Sequence, residues 1–368
     1  MRNLLKLIKF IFLCFILNIT SNVYGENITV ASWGGAYTES QIKAYKNTYS
    51  DPSKINFVNY NGGLDDVRSQ VESGNIKWDL IDVLPLDAIT GCEEGLFQNI
   101  SKYYDRFPKG PGNTNIINDM KLTGIKNPTK CCVPQIFWSY VVFYDPDAFP
   151  GGELPSTVSD FFNVKKFPGK RAINTWATGP IEMAALAAGI NNKRVYRELS
   201  TKKGVDKAFR ELNKIKNNVI FWSAGSKPLE LISSGEVVMA IAYNGRIGAA
   251  VLAEGANYEY IWDSQVIDQE YLCMVKGTNN FKLALDFMSH ASSPMSLAKA
   301  SKYITYGPMR ASSVDIIAGN DPWTDDGQYV LPHIPNTPEK LAIAVMVDHN
   351  QNFDFYRINE KYSNWMNN

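Results

Sequence analysis

Histidine is scarce in this chain. His290, His333 and His349 are the three present, scattered without metal spacing, which leaves little support for a zinc centre or a Ser-His-Asp relay. No C-x-x-C pair occurs, so neither a zinc knuckle nor a redox dithiol is indicated. A block of basic residues is also missing, and beyond residue 25 no stretch is apolar enough to span a bilayer. Repeats and low-complexity tracts are absent.

The N-terminus has its own texture. MRNLLKLIKF carries Arg2, Lys6 and Lys9, followed by IFLCFIL and then polar NITSN and VYG. This layout predicts a secretory signal peptide over residues 1–25, cleaved after Gly25, because its uncharged run is shorter than the ~20 residues a spanning helix needs. Cys14 lacks the small preceding residues of a lipoprotein site. The mature chain would have 343 residues (368 minus 25), an expectation of two domains, and 34 basic against 37 acidic residues. A net charge near −3 argues against nucleic acid as a partner. The expected compartment lies outside the cytoplasm.

Four cysteines remain: Cys92, Cys131, Cys132 and Cys273. In an oxidising compartment a pair can bond, and the loop-like settings of Cys92 (ITGCEEG) and Cys131 (NPTKCCVP) favour those two. Adjacent Cys131 and Cys132 would strain the peptide between them.

Strand and helix patterns alternate. NITVA, KINFVNY and WDLIDVL read as strands, with helices over TESQIKAYKNTY, where Thr38 is the expected cap, and LDDVRSQVES. Such alternation predicts crossover units and a mostly parallel sheet, with ligands at the carboxyl ends of its strands. After Cys132, the aromatic run QIFWSYVVFYDPDAF reads as a crossing into a second lobe. GPIEMAALAAGI and GVDKAFRELNKIKNN read as helices, the latter with Val205, Ala208, Phe209, Leu212 and Ile215 on one stripe. Crossings near residues 135 and 265 predict a two-lobed α/β molecule. Lobe 1 would comprise 26–135 plus 268–312, and lobe 2 would comprise 136–267 plus 313–368.

Aromatic residues gather at predicted strand ends and crossings: Trp33, Tyr37, Trp138, Trp176, Trp222, Tyr243 and Trp262. Ring faces lining a cleft bind alkyl chains and cations. Carboxylates recur beside them, with Asp79 and Asp82 at the third strand and Asp263, Asp268 and Glu270 after Trp262. In an extended segment Asp268 and Glu270 share a face. Glu182 lies in the first turn of its helix, where the dipole alone would favour it.

SWGGAYTESQ, FPGKRAINTWATGPIEMAALAAG, FWSAGS, GEVVMAIAYNGRI, YIWDSQVIDQEY and YITYGP, in this order, resemble the periplasmic substrate-binding proteins of polyamine-type ABC importers. The resemblance spans nearly all of the mature chain. It implies the two-lobed periplasmic-binding-protein fold, each lobe a mixed, mostly parallel sheet flanked by helices, and no catalysis or cofactor. It also implies the periplasm as the compartment, a polyamine such as putrescine or spermidine held by hinge closure, a monomer, and delivery to a permease with its ATPase. A bridge between Cys92 and Cys131 accords with it. For the site, the resemblance implies Trp33 and Trp222 as cleft aromatics and Trp262 with Asp268 as an amine clasp, Asp263 and Glu270 being alternative carboxylates. Asp82, and Tyr243 with Asn244, would supply further contacts.

The chain departs from the polyamine pattern in two places. WATGP stands where an acidic pair precedes the helix of Glu182, and FWSAGSKP carries Ser223 and Lys227 where acidic and amide residues are usual. An inward lysine would repel a dication and favour a zwitterion or anion. The alternatives are therefore a receptor for an amino acid, a betaine or ferric iron, or a secreted hydrolase using paired carboxylates. Tyr103 and Tyr104 in SKYYDRFP evoke an iron site but read as structural.

Overall fold

The computed structural model describes residues 27–121, 123, 129–349 and 353–367. The expected signal peptide lies outside them. Strand β1 (Ile28–Ser32) is buried along almost its whole length and leads through a glycine pair into α1 (Gly35–Gln41). This helix begins three residues before the predicted cap. Gly34, at φ +78°, takes the cap position, and Thr38 Oγ1 instead accepts from the Gly34 amide at 2.8 Å. Next come β2 (Ile55–Asn59), α2 (Asp65–Ser73), β3 (Leu80–Val83) and α3 (Pro85–Glu93).

The aromatic run becomes one long strand, β4 (Cys132–Tyr144). Beyond it follow β5 (Arg171–Asn174), α4 (Pro180–Ala187), α5 (Lys202–Ile215), β6 (Val219–Trp222), β7 (Met239–Tyr243) and α6 (Asn244–Glu254). The five apolar residues predicted as a stripe on α5 are all buried, as a 3.6-residue period requires. A second long strand, β8 (Glu259–Met274), absorbs YIWDSQVIDQEY and YLCM together, and short β9 (Gly307–Pro308) and β10 (Val345–Met346) complete the set.

Among the described residues these strands form one sheet, ordered β2-β1-β3-β8-β4-β7-β5-β6, with β9 on β4 and β10 on β8. The outer triplets are parallel, as the alternation predicted. The middle is antiparallel: β8 pairs with β3 and β4, and β4 pairs with β7. Each long strand therefore belongs to both halves of the molecule. Register shifts between Pro134 and Ile136, and between Tyr140 and Val142, bend β4 where the halves meet. Separate cores flank the bend, one around β1, β2 and the end of β8, the other around α4, α5 and the C-terminal half of β4.

Among the described residues there are two disulfides. Cys92 bonds Cys131, tying the end of α3 to the approach to β4, and Cys132 bonds Cys273, its register partner across the β4/β8 pair. The second bridge was not legible locally, because it depends on strand pairing over a separation of 141 residues.

Candidate functional site

On a pleated strand alternate side chains share a face, so Ile136, Trp138 and Tyr140 of β4 point the same way. They form the floor of a cavity of about 270 Å³ between the halves of the molecule. Its walls come from strand ends. Trp33 follows β1, Leu84 follows β3, Tyr243 closes β7, and Tyr37 stands on α1. Tyr306, just before β9, and Glu270 on β8 complete it. Glu270 is the register partner of Ile136, which puts its carboxylate on the cavity face.

The rings brace one another. Trp138 packs edge-on to Tyr140 and Tyr243 at 5.2 and 5.6 Å, and Trp33 lies 4.8 Å from Tyr60. The indole of Trp33 is half-buried, and its Nε1–H donates to Glu270 Oε1 at 2.8 Å. Gly62 lies flat beneath it at φ +86°, where an added Cβ would come within 2.9 Å of the ring. The large aromatic at this strand end thus fixes the orientation of the cavity's carboxylate.

Burial, followed by the charge of Asp82, pushes the Glu270 carboxyl well above the usual carboxylate range. Asp82 is itself fully buried behind the cavity, and burial raises it too. It accepts from Gln41 Nε2 at 2.7 Å on one oxygen, while its other oxygen and the Tyr37 and Tyr45 hydroxyls have no hydrogen-bond partner among the described residues. A ring-walled carboxylate with a second one behind it has the chemistry to accept a cation, whose charge would offset the cost of ionising a buried carboxyl.

Arg246 stands on α6, the helix that follows the wall residue Tyr243, and is a half-buried residue with no ion pair among the described residues. Its charge acts on the phenols of Tyr243 and Tyr306, both cavity walls. Burial above all raises the Tyr306 phenol, with the charge of Arg246 acting to lower it and that of Glu270 to raise it. Sequence reading overlooked Arg246, although it lies within the quoted GEVVMAIAYNGRI. Tyr140 and Tyr306 were likewise missed, yet the period-two pattern Ile136, Trp138, Tyr140 was a usable signal.

Of the residues named from sequence, Trp33, Tyr37, Trp138, Tyr243 and Glu270 come together here. The others lie elsewhere. Trp222 is 2% exposed and sits behind the wall, edge-on to Trp176 at 5.2 Å. Asn244 is buried as a tie, accepting from the Ser139 amide at 3.0 Å and donating to the Thr305 carbonyl at 2.7 Å. Glu182 caps its own helix by accepting from the Gly179 amide at 2.7 Å and the Tyr196 hydroxyl at 3.0 Å, and burial pushes it up to about 7. Asp79 accepts from the Thr29 amide at 2.8 Å, and Asp263 from the Val158 amide at 2.8 Å. Lys227 is exposed and pairs with Glu230, so it does not bear on the cleft.

Trp262 and Asp268, the pair expected to clasp an amine, each hold a basic group of this chain. The Lys340 ammonium lies 3.8 Å from the centre of the Trp262 ring and donates to the carbonyls of Leu331, Pro332 and Ile334. Burial draws this lysine down to about 7. His349 Nε2 is 2.6 Å from Asp268 Oδ1. Tyr103 packs on Phe281 and Tyr104 donates to the Cys132 carbonyl, both outside the cavity.

Two α/β halves joined by paired long strands, with a small ring-lined cavity at the strand ends between them, define a periplasmic-type solute receptor. The chain belongs to the bacterial extracellular solute-binding proteins, whose family model matches residues 40–330. It is 33% identical over 327 residues to the gamma-aminobutyric acid-binding protein of Pseudomonas aeruginosa, covering 88% of this chain and 86% of that one. Among solved structures it is similar to the binding protein MotA of A. tumefaciens B6 in complex with glucopine. There the identity is 27% and the TM-score 0.70, over 92% of this chain and 99% of that one. It also resembles the Atu4243 GABA receptor, at 25% identity and TM-score 0.72, over 92% and 97%. The protein is therefore a solute-binding receptor of an ABC transporter and not an enzyme. The polyamine specificity implied by the sequence resemblance does not receive the same support, because these relatives carry the names of an amino acid and an opine.

Proposed function

We propose that this receptor binds a small ω-amino acid of the 4-aminobutyrate type, with its ammonium group at Glu270 and its carboxylate at Arg246. The observation that supports the reading is the Glu270 carboxylate on the wall of a small ring-lined cavity, with Arg246 on α6, the helix that starts directly after the wall residue Tyr243. A cavity of about 270 Å³ lies below the usual span for drug-sized ligands, roughly 300 to 1,000 Å³, and suits a solute of few heavy atoms. The names of the Pseudomonas aeruginosa and Atu4243 relatives support the same solute class. A polyamine fits less well, since Arg246 repels a second ammonium. Closure of lobes 26–135 plus 268–312 and 136–267 plus 313–368 over the solute would present the closed form to the permease.

Titration calorimetry with 4-aminobutyrate, butylamine, butyrate and putrescine tests the reading. The zwitterion should bind at least about tenfold more tightly than each of the others, because each end contributes a charge-assisted contact of about 1.5 to 3 kcal/mol. Equal or tighter binding of putrescine would contradict it.

A further inference from the structure

Glu270 and Asp268 stand two residues apart on β8, opposite Ile136 and Trp138, and so share the cleft face of the strand. Two strand residues span roughly 6.6 Å, about the length of a four-carbon chain. The pair would accommodate both ends of a short diamine. Asp268, however, is already engaged: it is 4% exposed, its Oδ1 accepts from the Gln269 amide at 2.8 Å, and the same oxygen meets His349 Nε2 at 2.6 Å. His349 follows β10, which pairs with β8, and this pairing brings the imidazole onto Asp268.

We propose that His349 fills the second ammonium subsite of the cleft from within the chain, so that the receptor admits solutes with one ammonium group and rejects diamines. The proposal rests on the reading of the cavity as an ammonium site at Glu270. Acidic groups face His349 from three elements: Asp268 on β8, Asp87 on α3 and Asp348 beside it on its own segment. Lys193 and Arg197 line the same groove. Burial alone would strip the imidazole of its proton, but the charge and hydrogen bond of Asp268 outweigh it and raise the pKa above its ordinary value. With the cation in place Asp268 offers no net charge to a solute. Without it, the subsite presents a carboxylate 2 residues from Glu270 along the same face.

The test compares putrescine and 4-aminobutyrate affinities, by calorimetry, in wild type, His349→Gln, Asp268→Asn and the double variant, with melting curves to establish folding. In His349→Gln the ratio of putrescine to 4-aminobutyrate affinity should rise about tenfold or more, and adding Asp268→Asn should abolish the gain. In wild type the same ratio should rise as pH increases from 6 to 8.5 and the imidazole loses its proton, since Glu270 acts on both solutes alike. An unchanged ratio in folded His349→Gln overturns the proposal. Should that variant fail to fold, a flat ratio across the pH range in wild type overturns it instead. If no variant binds 4-aminobutyrate, the ω-amino acid reading fails. The His349 proposal then still stands or falls on whether putrescine binding appears in His349→Gln and disappears in the double variant.

Discussion

Trp33 holds Glu270 through one hydrogen bond, and that bond separates binding from folding at this residue. In Glu270→Gln the amide oxygen still accepts from the indole, while the charge that meets an ammonium is gone. We expect a loss of about 2 kcal/mol in 4-aminobutyrate affinity, roughly thirtyfold, with a melting temperature unchanged or raised because a buried carboxyl is replaced by a neutral group. Calorimetry and thermal melts on the purified variant check both halves. The pH dependence follows from the same residue. Glu270 and Glu182 keep their protons to higher pH in the fold than the ordinary value of 4.5, Glu182 to about 7, so the native state binds more protons than the unfolded chain. Stability of the free receptor is therefore full below about pH 4.5 with respect to these groups and falls as pH rises toward 7 and beyond. His349, raised as well, acts with the same sign. Exposed carboxylates held low by neighbours, such as Asp206 beside Lys202, matter only below about pH 4. The melting temperature of the free protein should be higher at pH 5 than at pH 7.5. Binding of an ammonium, in contrast, favours ionised Glu270, so affinity should strengthen over the same interval and release a proton. An affinity that weakens with rising pH would contradict the assignment.

At the level of elements, the site depends on where strands stop and on what lies beneath their ends. Gly62 supports the Trp33 ring at a left-handed backbone angle, and any side chain there both strains the turn and displaces the indole. Gly62→Ala should cost about 1 to 3 kcal/mol of stability and weaken solute binding together, readable from denaturant melts and calorimetry on one preparation. The pairing of β4 with β8 is stapled by Cys132 and Cys273 across 141 residues of chain. Cys132→Ser should lower stability by about 2 to 5 kcal/mol in a denaturant melt. The parallel triplets β1, β2, β3 and β5, β6, β7 were legible because each strand is a short apolar run bounded by a helix of clear period. The antiparallel middle was not, since nothing local in WDSQVIDQEY tells that it joins YLCM as one strand. The placement of Trp33 and Glu270 on the cavity was legible from their places at a strand end and a crossing. The surroundings of Trp222, Trp262 and Asp268 were not legible because burial behind a wall, a lysine over a ring and a histidine on a carboxylate are tertiary events. Lys340 and His349 lie 78 and 81 residues beyond the groups they cover.

For the whole molecule, two regions with separate cores are joined among the described residues through the long strands β4 and β8, and our proposal places their rotation at the register shifts near Pro134 and Tyr140. A solute that contacts Glu270 and Arg246 together favours the state in which both are near, so closure follows from differential affinity. Small-angle scattering should record a smaller radius of gyration on adding 4-aminobutyrate to wild type, and no change for Glu270→Gln at the same concentration. The most direct measurement is a crystal structure of the receptor grown with 4-aminobutyrate. The account predicts the ammonium within hydrogen-bond distance of Glu270, the alkyl chain against Trp33 and Trp138, and the carboxylate on Arg246. A solute lying in the reverse sense, or seated outside this cavity, would contradict it.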